Sequence, residues 1–320
     1  MAHAMPDSRR LFLQTATAAA VAAAAPNGLP KRTLGKTGLE VSILGLGGAR
    51  IGNLDDGKTA RDVVRRCYDL GVTYFDAAAA GAYGLSQARY GAALHDVRDK
   101  IVLATKTRHR TAPQAQLDLD QSLANFRTDR IDLYQVHNVM TDADIDDVFR
   151  PGGLMEMIEK AKKAGKIRFV GFTGHTDPRL HNKIMARYNF DTVLLPLSIT
   201  DGGNSQKSFE SETLPLARKH NLGIIAMKLF GAGAILKRRA ATVAECLSYT
   251  WSLPIHTAIV GIEQLDQAAE VAALAASHKP LNAAQMDHLR RRAATLELAQ
   301  FEPWKYNDYS APTGPTYKAD

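Results

Sequence analysis

Short, predominantly apolar runs alternate along this chain with longer stretches whose apolar positions recur three and four residues apart. The runs at 41–47, 72–76, 101–105, 131–136, 167–172, 192–197, 223–227 and 257–261 read as strands buried on both faces. Helical spacing follows each one, at 56–70, 86–94, 113–126, 153–164, 178–188, 210–220, 242–253 and 265–275. In the first of these helices Val63, Val64, Cys67 and Leu70 share a face, and Gly71 ends it. Eight strand–helix units with such strands predict a parallel sheet wrapped in helices, most simply a closed (β/α)8 TIM barrel. An open doubly wound sheet is the alternative. It is disfavoured because Gly45 and Gly47 are followed by Arg50, where a dinucleotide fingerprint needs a third glycine.

Segments 31–34 and 39–42 flank Gly35-Lys36-Thr37-Gly38 and read as an N-terminal hairpin. One extra C-terminal helix is expected within 281–300, and 301–320 is an aromatic, proline-containing tail. The barrel domain is therefore taken as 31–320. Residues 1–30 differ from it. Met1-Ala2-His3-Ala4 reads as an added leader before a natural start at Met5. Ser8-Arg9-Arg10-Leu11-Phe12-Leu13 then precedes an alanine-rich stretch at 15–25, too short for a stable membrane span. That order resembles a twin-arginine signal, and implies the export machinery as a partner and a periplasmic location. Cleavage is expected around 22–25. The alternative is a retained alanine-rich helix on a cytoplasmic protein.

Composition narrows the function without naming it. Hydrophobic residues are 45% and charged residues 23%, so the chain has the make-up of a globular protein with a large core. The net charge of +7 is spread out, and the basic runs at 237–239 and 290–292 read as solvated surface. No nucleic-acid-binding motif accompanies them, and no nucleic-acid partner is expected. Two cysteines exclude a disulfide scaffold, a zinc cluster and a four-thiolate iron–sulfur site; no metal is expected. Cys67 and Cys246 lie on apolar helix faces and read as core.

Active sites of such barrels sit at the carboxyl ends of the strands. Asp76, Lys106 and His137 follow the second, third and fourth strands. Thr173-Gly174-His175 follows the fifth, Lys228 the seventh and Gly261-Ile262-Glu263 the eighth. An acid, a base and a histidine on successive strand ends converge on one pocket.

At these residues the chain resembles the aldo-keto reductase superfamily over residues 31 to about 280. The resemblance is carried by Arg32-Thr33-Leu34-Gly35-Lys36-Thr37-Gly38-Leu39, Gly71-Val72-Thr73-Tyr74-Phe75-Asp76, Thr105-Lys106-Thr107, Asp132-Leu133-Tyr134-Gln135-Val136-His137 and Gly165-Lys166-Ile167-Arg168. It implies hydride transfer between a nicotinamide cofactor, NAD or NADP, and a carbonyl or sugar-like alcohol, with an Asp, Tyr, Lys and His tetrad. A lyase, epimerase or isomerase that recycles a tightly bound cofactor is the alternative, as is a non-catalytic cofactor-binding subunit. The family's tyrosine falls five residues after the aspartate, where this chain has Gly81; Tyr83-Gly84 matches the local pattern two residues late. Tyr83 is taken as the proton donor, its acidity raised by the Lys106 ammonium, which Asp76 holds, while His137 polarises the carbonyl oxygen.

The resemblance also implies cofactor contacts. Gly48 falls in the first strand–helix turn, and Thr173-Gly174 stands where the family has Ser-Asn on the carboxamide. Leu194 replaces a glutamine, and Met227 replaces an aromatic ring. Lys228 with Phe230, Gly231 and Gly233 matches the loop over the pyrophosphate, its cation and exposed N–H groups suiting phosphate. Gly261 leads to Glu263, whose carboxylate would accept from a ribose hydroxyl and repel a 2′-phosphate, with Gln264 and Gln267 at the adenosine end. Arg50, Arg108 and His109 flank the mouth as candidates for an anionic or polyhydroxyl substrate. No dimer signature is read, and a monomer is expected.

Overall fold

The structure is a computed structural model that describes residues 28–306. A hairpin of β1 (Lys31–Thr33) and β2 (Glu40–Ser42) precedes the barrel. The barrel strands are β3 (Leu44–Gly47), β4 (Tyr74–Asp76), β5 (Val102–Thr107), β6 (Ile131–Val136), β7 (Ile167–Thr173), β8 (Thr192–Pro196), β9 (Gly223–Met227) and β10 (Thr257–Val260). They pair in parallel in sequence order, and β10 closes on β3. The first helices are α1 (Gly48–Gly52), α2 (Gly57–Asp69), α3 (Ala80–Tyr83), α4 (Ser86–Leu94), α5 (Ala112–Phe126), α6 (Asp142–Phe149), α7 (Leu154–Lys163) and α8 (Pro178–Met185), of which α2, α4, α5, α7 and α8 lie where the spacing predicts helices. After them come α9 (Ile199–Gly202), α10 (Phe209–Glu212), α11 (Leu214–Lys219), α12 (Ala234–Lys237), α13 (Val243–Ser252), α14 (Leu265–Ala276), α15 (Ala283–Ala294) and α16 (Pro303–Tyr306).

Three local differences from the sequence reading have physical causes. The run 41–47 is two strands, because Val41 and Ser42 pair with the hairpin and only Leu44–Gly47 joins the barrel. The stretch 210–220 is two helices: Pro215 cannot donate in a helix interior but fits the first turn of α11. Helix α6 was not expected; Thr141 and Asp144 form a capping box that starts it. The candidate signal at 8–25 lies outside the described residues. Among the described residues no helix is long and apolar enough to cross a membrane.

Two apolar cores divide the work. The larger lies between strands and helices, with Val63, Val64 and Cys67 of α2 among its members, as their spacing requires. The smaller fills the barrel interior with Tyr74, Val102, Ala104, Leu133, Leu194, Ile225 and Met227. Leu34 and Val41 of the hairpin belong to it, so the hairpin plugs the amino-terminal end. Burying a leucine such as Leu34 stabilises by about 1.5–3 kcal/mol. The plug fits because Gly35 has no side chain; a Cβ there would lie 2.4 Å from the Gly223 nitrogen. With that end closed, the carboxyl end of the barrel is left for chemistry.

Candidate active site

Asp76 is the last residue of β4, and Lys106 lies within β5, one residue before its end. Their side chains are fully buried, with the Lys106 ammonium 2.7 Å from Asp76 Oδ2 and 2.8 Å from Oδ1. The third N–H of Lys106 goes to the Ala77 carbonyl at 2.8 Å. An ammonium has three donors, so none remains. Burial pushes the Asp76 carboxyl up, against the pull of Lys106. Burial likewise pushes the Lys106 ammonium down, against the pull of Asp76. Gln135 of β6 adds a hydrogen bond to Asp76 Oδ1 at 3.4 Å.

The Lys106 ammonium sits 4.9 Å from the centre of the Tyr83 ring. The two extra residues of this loop are taken up in the single turn of α3, whose last residue is Tyr83. Gly81, five after Asp76, is exposed, and a Cβ there would meet nothing within 4 Å. What holds Tyr83 is the end of α1. A Cβ on Gly52 would lie 1.7 Å from the Tyr83 carbonyl oxygen, and Leu85 N–H donates to the Gly52 carbonyl at 3.1 Å. Arg89 of α4 clasps the same segment by donating to the carbonyls of Ile51 and Leu54. Neither Gly52 nor Arg89 was singled out in the sequence, because an arginine buried against distant backbone carbonyls leaves no local pattern.

His137 follows β6 and is buried. Convergence of Asp76, Lys106 and His137 on one pocket does not make them one hydrogen-bonded cluster: Lys106 has spent its donors on Asp76 and Ala77, and His137 Nδ1 has no partner. Burial, with smaller contributions from Lys106, His175, Arg108 and Arg110, holds His137 well below the ordinary imidazole range, so it is neutral. Arg110, missed in the sequence, fixes this corner by donating to the carbonyls of His137 at 2.7 Å and Asn138 at 3.1 Å.

The cofactor candidates divide. Thr173 ends β7 with a buried hydroxyl that has no partner. Gly174 is the only residue that fits its place, since a Cβ would lie 2.6 Å from the Val139 carbonyl and 2.7 Å from His181 Nε2. Gly48 likewise lets α1 start against β4, with Asp76 O 2.6 Å from where its Cβ would be. Lys228 follows β9 at φ +62, and burial, then Arg50, lowers its pKa. Its ammonium lies 5.1 Å from the ring centre of Trp304 on α16. The expectation that Gly231 and Gly233 offer exposed N–H groups is corrected, because these donate to Lys228 O and Phe230 O within the turn. Phe230 is partly buried and supplies that acceptor.

Beyond β10, Gly261 is exposed and packs against the Arg50 stem. Glu263 is not a lone carboxylate, since Arg50 pairs with it at 3.1 Å. Gln264 is exposed, whereas Gln267 is buried and its amide oxygen is taken by Glu263 N–H at 2.9 Å. Of the three residues at the mouth, Arg50 is thus engaged and His109 bonds Asp118 at 2.9 Å, which leaves Arg108 exposed at the rim. Cys67 and Cys246 are buried; burial pushes the Cys67 thiol up to about 12. Among the described residues no cluster of His, Cys, Asp or Glu is suited to hold a metal.

A nicotinamide cofactor fits this donor set: a buried threonine hydroxyl without a partner, and a lysine whose ammonium lies over an indole ring. The sequence model of the aldo/keto reductase family matches residues 43–243. The chain is 26% identical over 220 residues to L-galactose dehydrogenase of Arabidopsis thaliana, covering 65% of this chain and 67% of that one. It is 25% identical over 281 residues to 6-dehydroglucose reductase of Novosphingobium aromaticivorans, covering 75% and 88%. The holo form of an aldo-keto reductase from Bacillus halodurans superposes with a TM-score of 0.70 at 26% identity, over 84% of this chain and 98% of that one.

Proposed function

The chain belongs to the aldo/keto reductase family and is a nicotinamide-dependent oxidoreductase of carbonyls and alcohols; from that premise we propose that Asp76, Tyr83, Lys106 and His137 carry its chemistry on sugar-like substrates. One observation carries the assignment: the buried Lys106 ammonium is locked on Asp76 while facing the Tyr83 ring. When bound, the cofactor supplies or accepts the hydride. Tyr83 gives its proton to the carbonyl oxygen in reduction and takes it back in oxidation. Lys106 acts on Tyr83 through its field, since its N–H groups are used, and a nearby cation favours phenolate. Asp76 holds that cation in place. A neutral His137 donates one hydrogen bond to the same oxygen.

Thr173 would hold the carboxamide and Lys228 the pyrophosphate, with Gly48, Gly174, Gly231, Gly233 and Gly261 shaping the walls and Phe230 and Gln264 at the rim. Sugar-like substrates are supported by the names of the two relatives above and by Arg108 at the mouth. Export is supported by the Ser8-Arg9-Arg10-Leu11-Phe12-Leu13 order; replacing Arg9 and Arg10 with lysine should abolish periplasmic yield. A monomer remains our expectation. The function itself is tested by screening aldehydes and aldoses with NADH and NADPH. Turnover by the native chain, lost in Tyr83→Phe, is the expected result; full activity in that variant moves the acid elsewhere.

A further inference from the structure

Gln135 of β6 is buried and has no task in the chemistry set out above, yet it reaches the Asp76–Lys106 pair. The register places it between Lys106 on β5 and Gly171 on β7. A Cβ on Gly171 would collide with the Thr192 hydroxyl and lie 3.3 Å from Gln135 Cγ, so the bare glycine makes room for the glutamine. Gln135 Nε2 donates to Asp76 Oδ1 at 3.4 Å, and its Oε1 has no partner among the described residues. A carboxylate only accepts, so the end of the amide turned to Asp76 is its NH2. Among the described residues, the donors to the Asp76 carboxylate are Lys106 and Gln135.

A sealed acid–base pair has two competing forms. In one, a carboxylate faces an ammonium. In the other, the proton has passed from Nζ to Oδ, leaving a carboxyl and an amine. Burial favours the second form, because it carries no charge. That pressure is visible here, where burial pushes Asp76 up and Lys106 down. A donor on the carboxylate opposes it, since a hydrogen bond to the charged form favours that form. We propose that Gln135 is a positioning residue that keeps the Asp76–Lys106 pair charge-separated, and so keeps a cation in front of Tyr83. The inference rests on the reading of Tyr83 and Lys106 given above. Tyr74 of β4 and Tyr90 of α4 also stand in the field of Asp76, and His137 after β6 and His175 after β7 stand in that of Lys106. Burial pushes both of these phenols up and both imidazoles down, so all four are uncharged near neutrality. Tyr83, whose ring faces the ammonium, is the phenol on which a change in the charge of the pair registers.

The test reads Tyr83 directly and needs no substrate. Phenolate absorbance is titrated in the native chain and in Tyr83→Phe, and the difference isolates Tyr83 from the other tyrosines. The same two titrations are then run with Gln135→Met added, which keeps the length of the side chain and removes the donor. The Tyr83 midpoint should rise by about one unit or more, as the pair passes to its uncharged form and the phenolate loses its cation. NADPH affinity, read by fluorescence titration of Gln135→Met alone, should stay within about threefold of native, since Thr173 and Lys228 are untouched. If Gln135→Met fails to fold, Gln135→Glu keeps the volume and turns the donor into a second acid beside Asp76, and the midpoint should rise there as well. An unchanged midpoint in a folded variant overturns the role of Gln135 alone. A native Tyr83 midpoint at the ordinary phenol value of about 10 would mean that Lys106 exerts no field on it, and overturns the reading on which the inference rests.

Discussion

Two lysines of this protein are sealed from water beside carboxylates, and their surroundings send them in opposite directions. Lys106 has one carboxylate, Asp76, and burial wins, so its pKa is lowered. Lys305 on α16 has two, Asp201 and Glu302; burial pulls it down, but the pair of carboxylates outweighs it and its pKa is raised. Their outlooks differ as well. Lys106 faces the Tyr83 ring. Lys305 closes a polar cluster in which Asn204 binds Glu302 and the Tyr306 hydroxyl, and it fastens the C-terminal segment that lays Trp304 on Lys228. One buried lysine thus projects a field into a reaction site, and the other spends its charge on anchoring a strap.

The sharpest way to break this contrast is to remove each charge. Lys106→Met should cut turnover by about 10²–10⁴-fold, the range for a compromised proton donor. Lys305→Met should leave kcat within about threefold of native, because its charge is spent on Asp201 and Glu302 and not on the proton donor. Both should destabilise by about 3–5 kcal/mol, since each leaves buried carboxylates unpaired. Kinetics and denaturant melts read the two effects separately. Equal losses of turnover would erase the distinction.

Next comes Tyr83→Phe, which should match Lys106→Met in turnover, about 10²–10⁴-fold, while costing little stability at a partly buried position. The double variant should be little worse than either single one, because the two act as a unit. An additive double variant would mean that Lys106 serves something other than Tyr83.

The regions should also respond to pH with opposite signs. Burial holds His137 and His175 well below the ordinary value of 6.5, and burial brings His181 to about 3. Folded-state values below the unfolded one mean that stability is full above about 6.5 and is lost as pH falls. Glu302 runs the other way. Burial, against Lys305, raises it from 4.5 to about 7, so its contribution is full below 4.5 and is lost as pH rises through about 7. The chain has two tryptophans, so Trp304 fluorescence in a Trp251→Phe background reports the strap. That signal should loosen above pH 7 and the global melt should weaken below 6.5. A strap signal that stays flat to pH 9 would contradict this.

The smallest effect concerns cofactor choice. Arg50 and Glu263 are a half-exposed pair, worth about 0–1 kcal/mol. Glu263→Gln frees Arg50, so NADPH should gain on NADH by less than about tenfold in Kd, measured by fluorescence titration. A larger shift would show that Glu263 meets the ribose directly.

Most of the barrel was legible because period-two and period-3.6 patterns survive without any knowledge of contacts; β6, β9 and α4 begin and end where their apolar spacing does. Strand ends likewise announced Asp76, Lys106 and His137. What stayed hidden depends on partners far apart in the chain. No local signal tells that Arg50 will meet Glu263, that Arg110 will hold the carbonyls after β6, or that all three donors of Lys106 will be spent. Charged residues read as surface by default, and Lys305, which ends up sealed, sits in a tail with no pattern at all.

The contact between Gly52 and Tyr83 has a consequence for how such an enzyme changes over generations. Tyr83 is braced from behind by a neighbouring helix end as well as by its own turn, where its N–H donates to the Ala79 carbonyl. A backing of this kind lets a loop of altered length still deliver the phenol to one station, provided that the helix end behind it keeps its shape. The same bracing concentrates vulnerability in one glycine. A single methyl at position 52 would evict the carbonyl of Tyr83, so the freedom to vary the loop is bought with a position that admits no variation.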